Sequence, residues 1–230
     1  MKPVSRRFTD RAAAGIALAR ELQRQVLEPP LLVLALPRGG VAVAYEVART
    51  LEAPLDVMLV RKIGMPGQPE LAMGAIASGN IIVHEPRAAR DIPGLGATFE
   101  RLVETERREL ERRERLFRAG LGALALEGKT VILVDDGIAT GSTMLAALRA
   151  ARKAGATRII AAAPVASAEA IELIRAEADR VVIVQVPAAM YAIGEWYEHF
   201  EQLEDTEVSR LLTLARQRGG HLPGERAHTR

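Results

Sequence analysis

Apolar and polar residues along the chain fall into two alternating kinds of block. Leu31 to Leu36, Leu55 to Val60, Val131 to Val134, Arg158 to Ala163 and Val181 to Val186 are short and almost wholly apolar. Such runs mark strands covered on both faces. Between them, apolar residues recur at helical spacing over Asp10 to Val26, Val41 to Leu51, Ser142 to Ala154, Ala168 to Ala178 and Thr206 to Arg216. In the first of these, Thr9 is the candidate N-cap, Ile16, Ala19 and Leu22 share one side, and Pro29-Pro30 ends the segment. Arg61 to Gly74 reads as a long loop holding Gly64, Pro66, Gly67 and Pro69. Ala75 to Ala77 and Ile81 to His84 flank Ser78-Gly79-Asn80, a hairpin signal. The alternation predicts an α/β fold with a central parallel sheet flanked by helices.

Thr98 to Arg118 departs from this pattern. Acids and arginines stand three and four residues apart, and the apolar residues Leu102, Leu110, Leu116 and Phe117 are sparse. The spacing predicts a helix with a solvated face, and a lid or a dimer arm is the other reading. Residues 219–230 read as a frayed tail.

Composition narrows the function classes. The 230 residues suffice for one large domain, and 49 % hydrophobic with 26 % charged residues excludes disorder of the whole chain. The absence of cysteine excludes a disulfide scaffold, thiolate metal sites and a thiol nucleophile, and suits a reducing cytoplasm. A net charge of +2 gives no basic excess for nucleic acid. No apolar run approaches the ~18 residues of a membrane span. His84, His199, His221 and His228 form no pair at ligand spacing.

The chemistry concentrates in Val131-Ile132-Leu133-Val134-Asp135-Asp136-Gly137-Ile138-Ala139-Thr140-Gly141-Ser142-Thr143. Two carboxylates follow an apolar strand at its C-terminal end, where open α/β sheets bind ligands. Small residues then lead into a helix. Backbone N–H groups at that helix start, with the hydroxyls of Thr140, Ser142 and Thr143, suit a phosphate. Acids beside a phosphate cradle make sense where the acids grip neutral ribose hydroxyls and the cradle grips a 5′-phosphate. The run is not a P-loop: only three residues separate Gly137 from Gly141, and Ser142 stands where that motif has lysine.

The run resembles the phosphoribosyl-pyrophosphate (PRPP) motif of the type I phosphoribosyltransferases. The resemblance implies that family's α/β fold in a single stand-alone domain over residues 1–230. Its core would run over about 31–186, with a charged helical insertion at about 97–118 and a C-terminal hood at about 187–216. By resemblance, Asp135 and Asp136 bind the ribose hydroxyls, and also the metal indirectly, through PRPP and water. Gly137, Ile138, Ala139, Thr140, Gly141, Ser142 and Thr143 would hold the 5′-phosphate. Pro37, Arg38, Gly39 and Gly40 are similar to the family's pyrophosphate loop. Arg61 and Lys62 open the segment where the family keeps its flexible catalytic loop, and they would help hold the leaving diphosphate.

The implied reaction transfers the 5-phosphoribosyl group of Mg·PRPP to a nitrogen nucleophile and releases pyrophosphate. Mg²⁺ is the implied cofactor, nucleotide salvage the implied setting, and a homodimer the implied assembly. Ala139 stands where enzymes for 6-oxopurines usually carry an aspartate, so a purine acceptor of the adenine kind is favoured. Tyr191 to Tyr197 resembles the hood of purine enzymes, with Tyr191 and Trp196 as base-binding candidates and Glu198 near the metal. The same aromatics would equally pack a small subdomain. A silent PRPP- or nucleotide-binding regulator with the same fold is the alternative.

Overall fold

The computed structural model describes residues 7–84 and 95–218. Its centre is a five-stranded parallel sheet built from β1 (Leu31–Ala35), β2 (Leu55–Val57), β6 (Thr130–Val134), β7 (Arg158–Val165) and β8 (Arg180–Gln185), in the order β2-β1-β6-β7-β8. Strands β1 and β6 run in register from Leu31 beside Thr130 to Ala35 beside Val134. Alternate residues serve opposite faces. Val33, Ala35, Ile132 and Val134 pack towards α1 (Arg11–Gln23), α2 (Gly39–Leu51) and α6 (Asp205–Arg218). Leu32, Leu34, Val131 and Leu133 pack towards α4 (Ser142–Lys153) and α5 (Ala168–Arg175). Burial on both faces is why these strands read as unbroken apolar runs.

A second, antiparallel sheet holds β3 (Val60–Met65), β4 (Gln68–Ala77) and β5 (Ile81–His84), in the order β3-β4-β5. The expected strand Leu55 to Val60 is thus split. The Met58 N–H still donates to Ala35 O, at 2.9 Å, and then the chain leaves the parallel sheet. Buried Ser78 holds the crossing: its Oγ accepts the Leu59 N–H at 3.0 Å, and its own N–H donates to Leu59 O. The expected loop Arg61 to Gly74 is a hairpin, with its turn at Pro66-Gly67 and a bulge around Gly64. Glycine and proline marked the turn and the bulge rather than a long coil. The hairpin at Ser78-Gly79-Asn80 is present as expected.

Two helices differ from expectation in detail. Asp10, not Thr9, caps α1, accepting the Ala13 N–H at 2.7 Å. The buried side of α1 is Ala14, Leu18, Ala19 and Leu22, while Ile16 is exposed. Helix α3 (Leu95–Phe117) carries the charged segment but is anchored in the core by Phe99, Val103, Leu110 and Phe117. Its C-terminal end is fixed by Arg118, which forks onto buried Asp56 at 3.0 to 3.2 Å. The 219–230 tail lies outside the described residues. No helix among the described residues is long and apolar enough to cross a membrane.

Candidate functional site

The C-terminal ends of β1 and β6 lie side by side, and the two loops that leave them meet. Leu36 N–H donates to Val134 O at 2.9 Å. The Pro37–Arg38 peptide, which is cis, leads into α2, whose first residues Gly39 and Gly40 press on the acid pair. A Cβ at Gly39 would lie 1.8 Å from Asp136 Oδ2, and one at Gly40 would lie 2.7 Å from Val134 O. Only glycine permits this approach. The structure therefore brings the Pro37–Gly40 turn and Asp135–Asp136 into one site, though 95 or more residues separate them in sequence.

The loop after β6 is held as a cradle. Ile138 bridges to Ala166 beyond β7, and the Ile138 N–H donates to Val165 O. Ser167 Oγ donates to Ala139 O at 2.7 Å and also caps α5 by accepting the Ala170 N–H. Gly141, with φ 77°, turns the chain into α4, which starts without a side-chain cap. The resulting depression, about 140 Å³, is lined by Asp135, Gly137 to Gly141, Thr143, Met144 and Ile193. Ser142 stands beside it, its Oγ 3.0 Å from Thr140 Oγ1 and accepting from Lys62 Nζ at 2.7 Å. An uncapped helix start with hydroxyls around it can bind an anion of phosphate size.

The two acids have different surroundings. Asp135 lines the depression. Burial pushes its carboxyl well above the ordinary value, and the neighbouring Asp136 charge adds to the shift. Asp136 is buried and is not among the residues that line the depression. Its Oδ2 accepts from Arg11 Nε at 2.8 Å, and its backbone carbonyl accepts from Tyr197 Oη at 2.5 Å. Burial also raises the Tyr197 hydroxyl, which stays protonated as a donor.

The other expected site residues are placed as follows. Lys62 reaches the cradle rather than the Arg38 turn. Arg61 pairs with Glu106 of α3 at 2.7 Å, and Arg38 lies 3.8 Å from Asp205 at the start of α6. Tyr191 is 86 % exposed and does not line the cradle. Trp196 packs with Phe8, Ala14 and Tyr197, its indole N–H without a protein partner among the described residues. The Glu198 side chain is exposed, and its N–H donates to Phe8 O. Among the described residues no group of three acids or histidines could hold a metal on protein ligands alone.

Sequence reasoning missed Arg11, Ser167 and Ile193, and it gave Tyr197 no role at the acids. Arg11 lies 125 positions from Asp136 and Tyr197 lies 61 from it, and such pairings leave no local signature.

Comparison with known proteins bears on the family. A family model described as a phosphoribosyl transferase domain matches residues 7–195. A protein of Mycobacterium tuberculosis strain H37Rv, provisionally named a phosphoribosyl transferase, is 41 % identical over 208 residues. That match covers 90 % of this chain and 47 % of the relative, so the chain spans about half the length of the curated relatives it matches. The crystal structure of TT1426 from Thermus thermophilus is 43 % identical with a TM-score of 0.83, covering 93 % of this chain and all of that one. The family match takes in the Arg38 turn, the acid pair, the cradle and the chain as far as Glu195, so the chain belongs to the phosphoribosyl transferase domain family, with its α/β fold.

Proposed function

We propose that the chain binds Mg·PRPP across the ends of β1 and β6 and transfers its 5-phosphoribosyl group to a nitrogen nucleophile, releasing pyrophosphate. The observation that carries this reading is the contact of Gly39 and Gly40 with Asp135 and Asp136, which sets the Pro37–Gly40 turn against the acid pair, beside the cradle after β6. The α4 N-terminus takes the 5′-phosphate, with Lys62 adding a positive charge. Asp135 accepts from the ribose hydroxyls. The N–H groups at the start of α2, with Arg38, face the diphosphate. Magnesium arrives as part of the substrate and offsets the charge on the diphosphate.

In such a transfer, positive charge grows on the sugar ring and negative charge on the leaving group. The chain's contribution is therefore positioning and electrostatic stabilisation. The acceptor is a nucleobase, an adenine-like purine being favoured because Ala139 carries no carboxylate. We place the activity in the cytoplasm, with a homodimer as the assembly.

One observation favours the second reading, a silent binder of PRPP or a nucleotide. Arg61 is held by Glu106 and Arg38 lies near Asp205, so neither guanidinium is directed solely at a ligand. The test is pyrophosphate release from Mg·PRPP with adenine, hypoxanthine, guanine, uracil and orotate supplied singly, beside a PRPP titration. Release dependent on one base is the expected result. Binding without release from any base supports the silent binder, and absence of binding overturns both readings.

A further inference from the structure

The acid pair is not symmetric, and the asymmetry has a built cause. Arg11 and Asp136 are each 11 % exposed at the side chain, and Nε meets Oδ2 at 2.8 Å. Arg11 Nη1 donates to Glu201 O at 2.8 Å, and the guanidinium lies 3.9 Å over the Phe200 ring. Phe200 in turn stacks on Tyr197, whose hydroxyl donates to the Asp136 carbonyl. One cation thus joins three stretches of chain: the start of α1, the residue after Asp135, and residues 197–201. None of Arg11, Asp136, Tyr197, Phe200 and Glu201 lines the cradle, whereas Asp135 does.

We propose that Arg11 is a positioning residue of the ribose site. It holds Asp136 as an internal counter-ion and so leaves Asp135 as the acid of the pair that meets the ligand. The assignment rests on the PRPP reading above. Its physical logic is local. Two adjacent carboxylates at one strand end repel each other and would repel a polyanionic ligand. A buried guanidinium that neutralises the second acid lets the first accept ribose hydroxyls beside a phosphate. It also fixes the backbone between Asp135 and Gly137, from which the cradle begins. Without Arg11, Asp136 is left as a buried charge without its partner, which favours a shift of the loop.

The experiment is a binding cycle on the full chain. Mg·PRPP is titrated against wild type, Arg11→Gln, Arg11→Lys, Asp136→Asn and the double variant Arg11→Gln with Asp136→Asn. Inorganic phosphate, which carries no ribose hydroxyls for the acid pair to hold, is titrated in parallel. Folding is checked for each sample by its thermal transition. Arg11→Gln should weaken Mg·PRPP about tenfold or more while phosphate binding stays within about threefold. The double variant, in which neither partner is charged, should recover most of the loss. Arg11→Lys, which keeps the charge without the planar fork, should fall between.

Equal losses for both ligands, or a double variant no better than Arg11→Gln, would reduce Arg11 to a structural residue and overturn the assignment. So would an Arg11→Gln chain that binds as wild type does. If Arg11→Gln fails to fold, Arg11→Lys decides, since a merely structural role predicts parallel changes in the two ligands. A wild-type chain that binds phosphate but not Mg·PRPP would overturn the PRPP reading and this assignment with it.

Discussion

At the scale of single residues, the candidate site was legible where chemistry and position coincide in one short run. Asp135, Asp136, Thr140 and Ser142 announce themselves after an apolar strand. Ser167 does not, because its hydroxyl serves a carbonyl 28 positions earlier. At Asp135 the proposed role and stability pull in opposite directions. Burial, then the adjacent Asp136 charge, holds its folded carboxyl above the ordinary 3.8. The folded chain then binds that proton more tightly than the unfolded chain, so stability falls as pH rises from about the ordinary value through the folded one. Asp135→Asn should therefore raise the thermal midpoint at pH 7 to 8, with the gain fading towards pH 4. The same variant should lower any PRPP-dependent turnover by about a hundredfold or more. A midpoint gain that is the same at every pH would contradict the electrostatic account. Gly39→Ala tests the meeting of the loops. Its Cβ would overlap Asp136 Oδ2, so melting should show a loss of about 1–3 kcal/mol, together with weaker PRPP binding.

At the scale of elements, strands and most helices followed from periodicity, and the failures have identifiable causes. The hairpin β3–β4 was read as coil because its turn and bulge residues carry the same glycine and proline signal as a loop. Helix α3 follows from its charge spacing, and many of its charged positions are exposed as expected. Its inward face is nonetheless set at seven-residue spacing by Val103, Leu110 and Phe117, with Glu106 reaching Arg61 from the same helix. Leu116, one of the sparse apolar residues of this segment, is 41 % exposed. The two leucines therefore separate the accounts. Leu110→Ala should cost about 2–5 kcal/mol in denaturant unfolding, whereas Leu116→Ala should cost well under half of that. Equal effects would mean that α3 does not seat as described.

At the scale of the whole molecule, the parallel sheet was legible, because strand–helix alternation constrains topology strongly. The closure of the site by two segments distant in sequence was not. The Phe8 N–H donates to Trp196 O, the Glu198 N–H to Phe8 O, and the His199 N–H to Thr9 O, at 2.8 to 3.0 Å. These bonds form a parallel bridge between segments about 190 residues apart, and no sequence period encodes such a pairing. The bridge leads directly into Asp10, which caps α1, and into Arg11, which holds Asp136. Tyr197 returns from the far side of the same bridge to the Asp136 carbonyl. Bridge and acid site are thus linked twice, so a ligand that orders the loop after β6 must also favour the closed bridge. Hydrogen exchange can read this link. The amides of Phe8, Glu198 and His199 should exchange as one group and slow together when Mg·PRPP is added. In Arg11→Gln the group should exchange faster and respond less to the ligand. Slowing confined to the start of α4 would show instead that the cradle binds its phosphate without engaging the bridge.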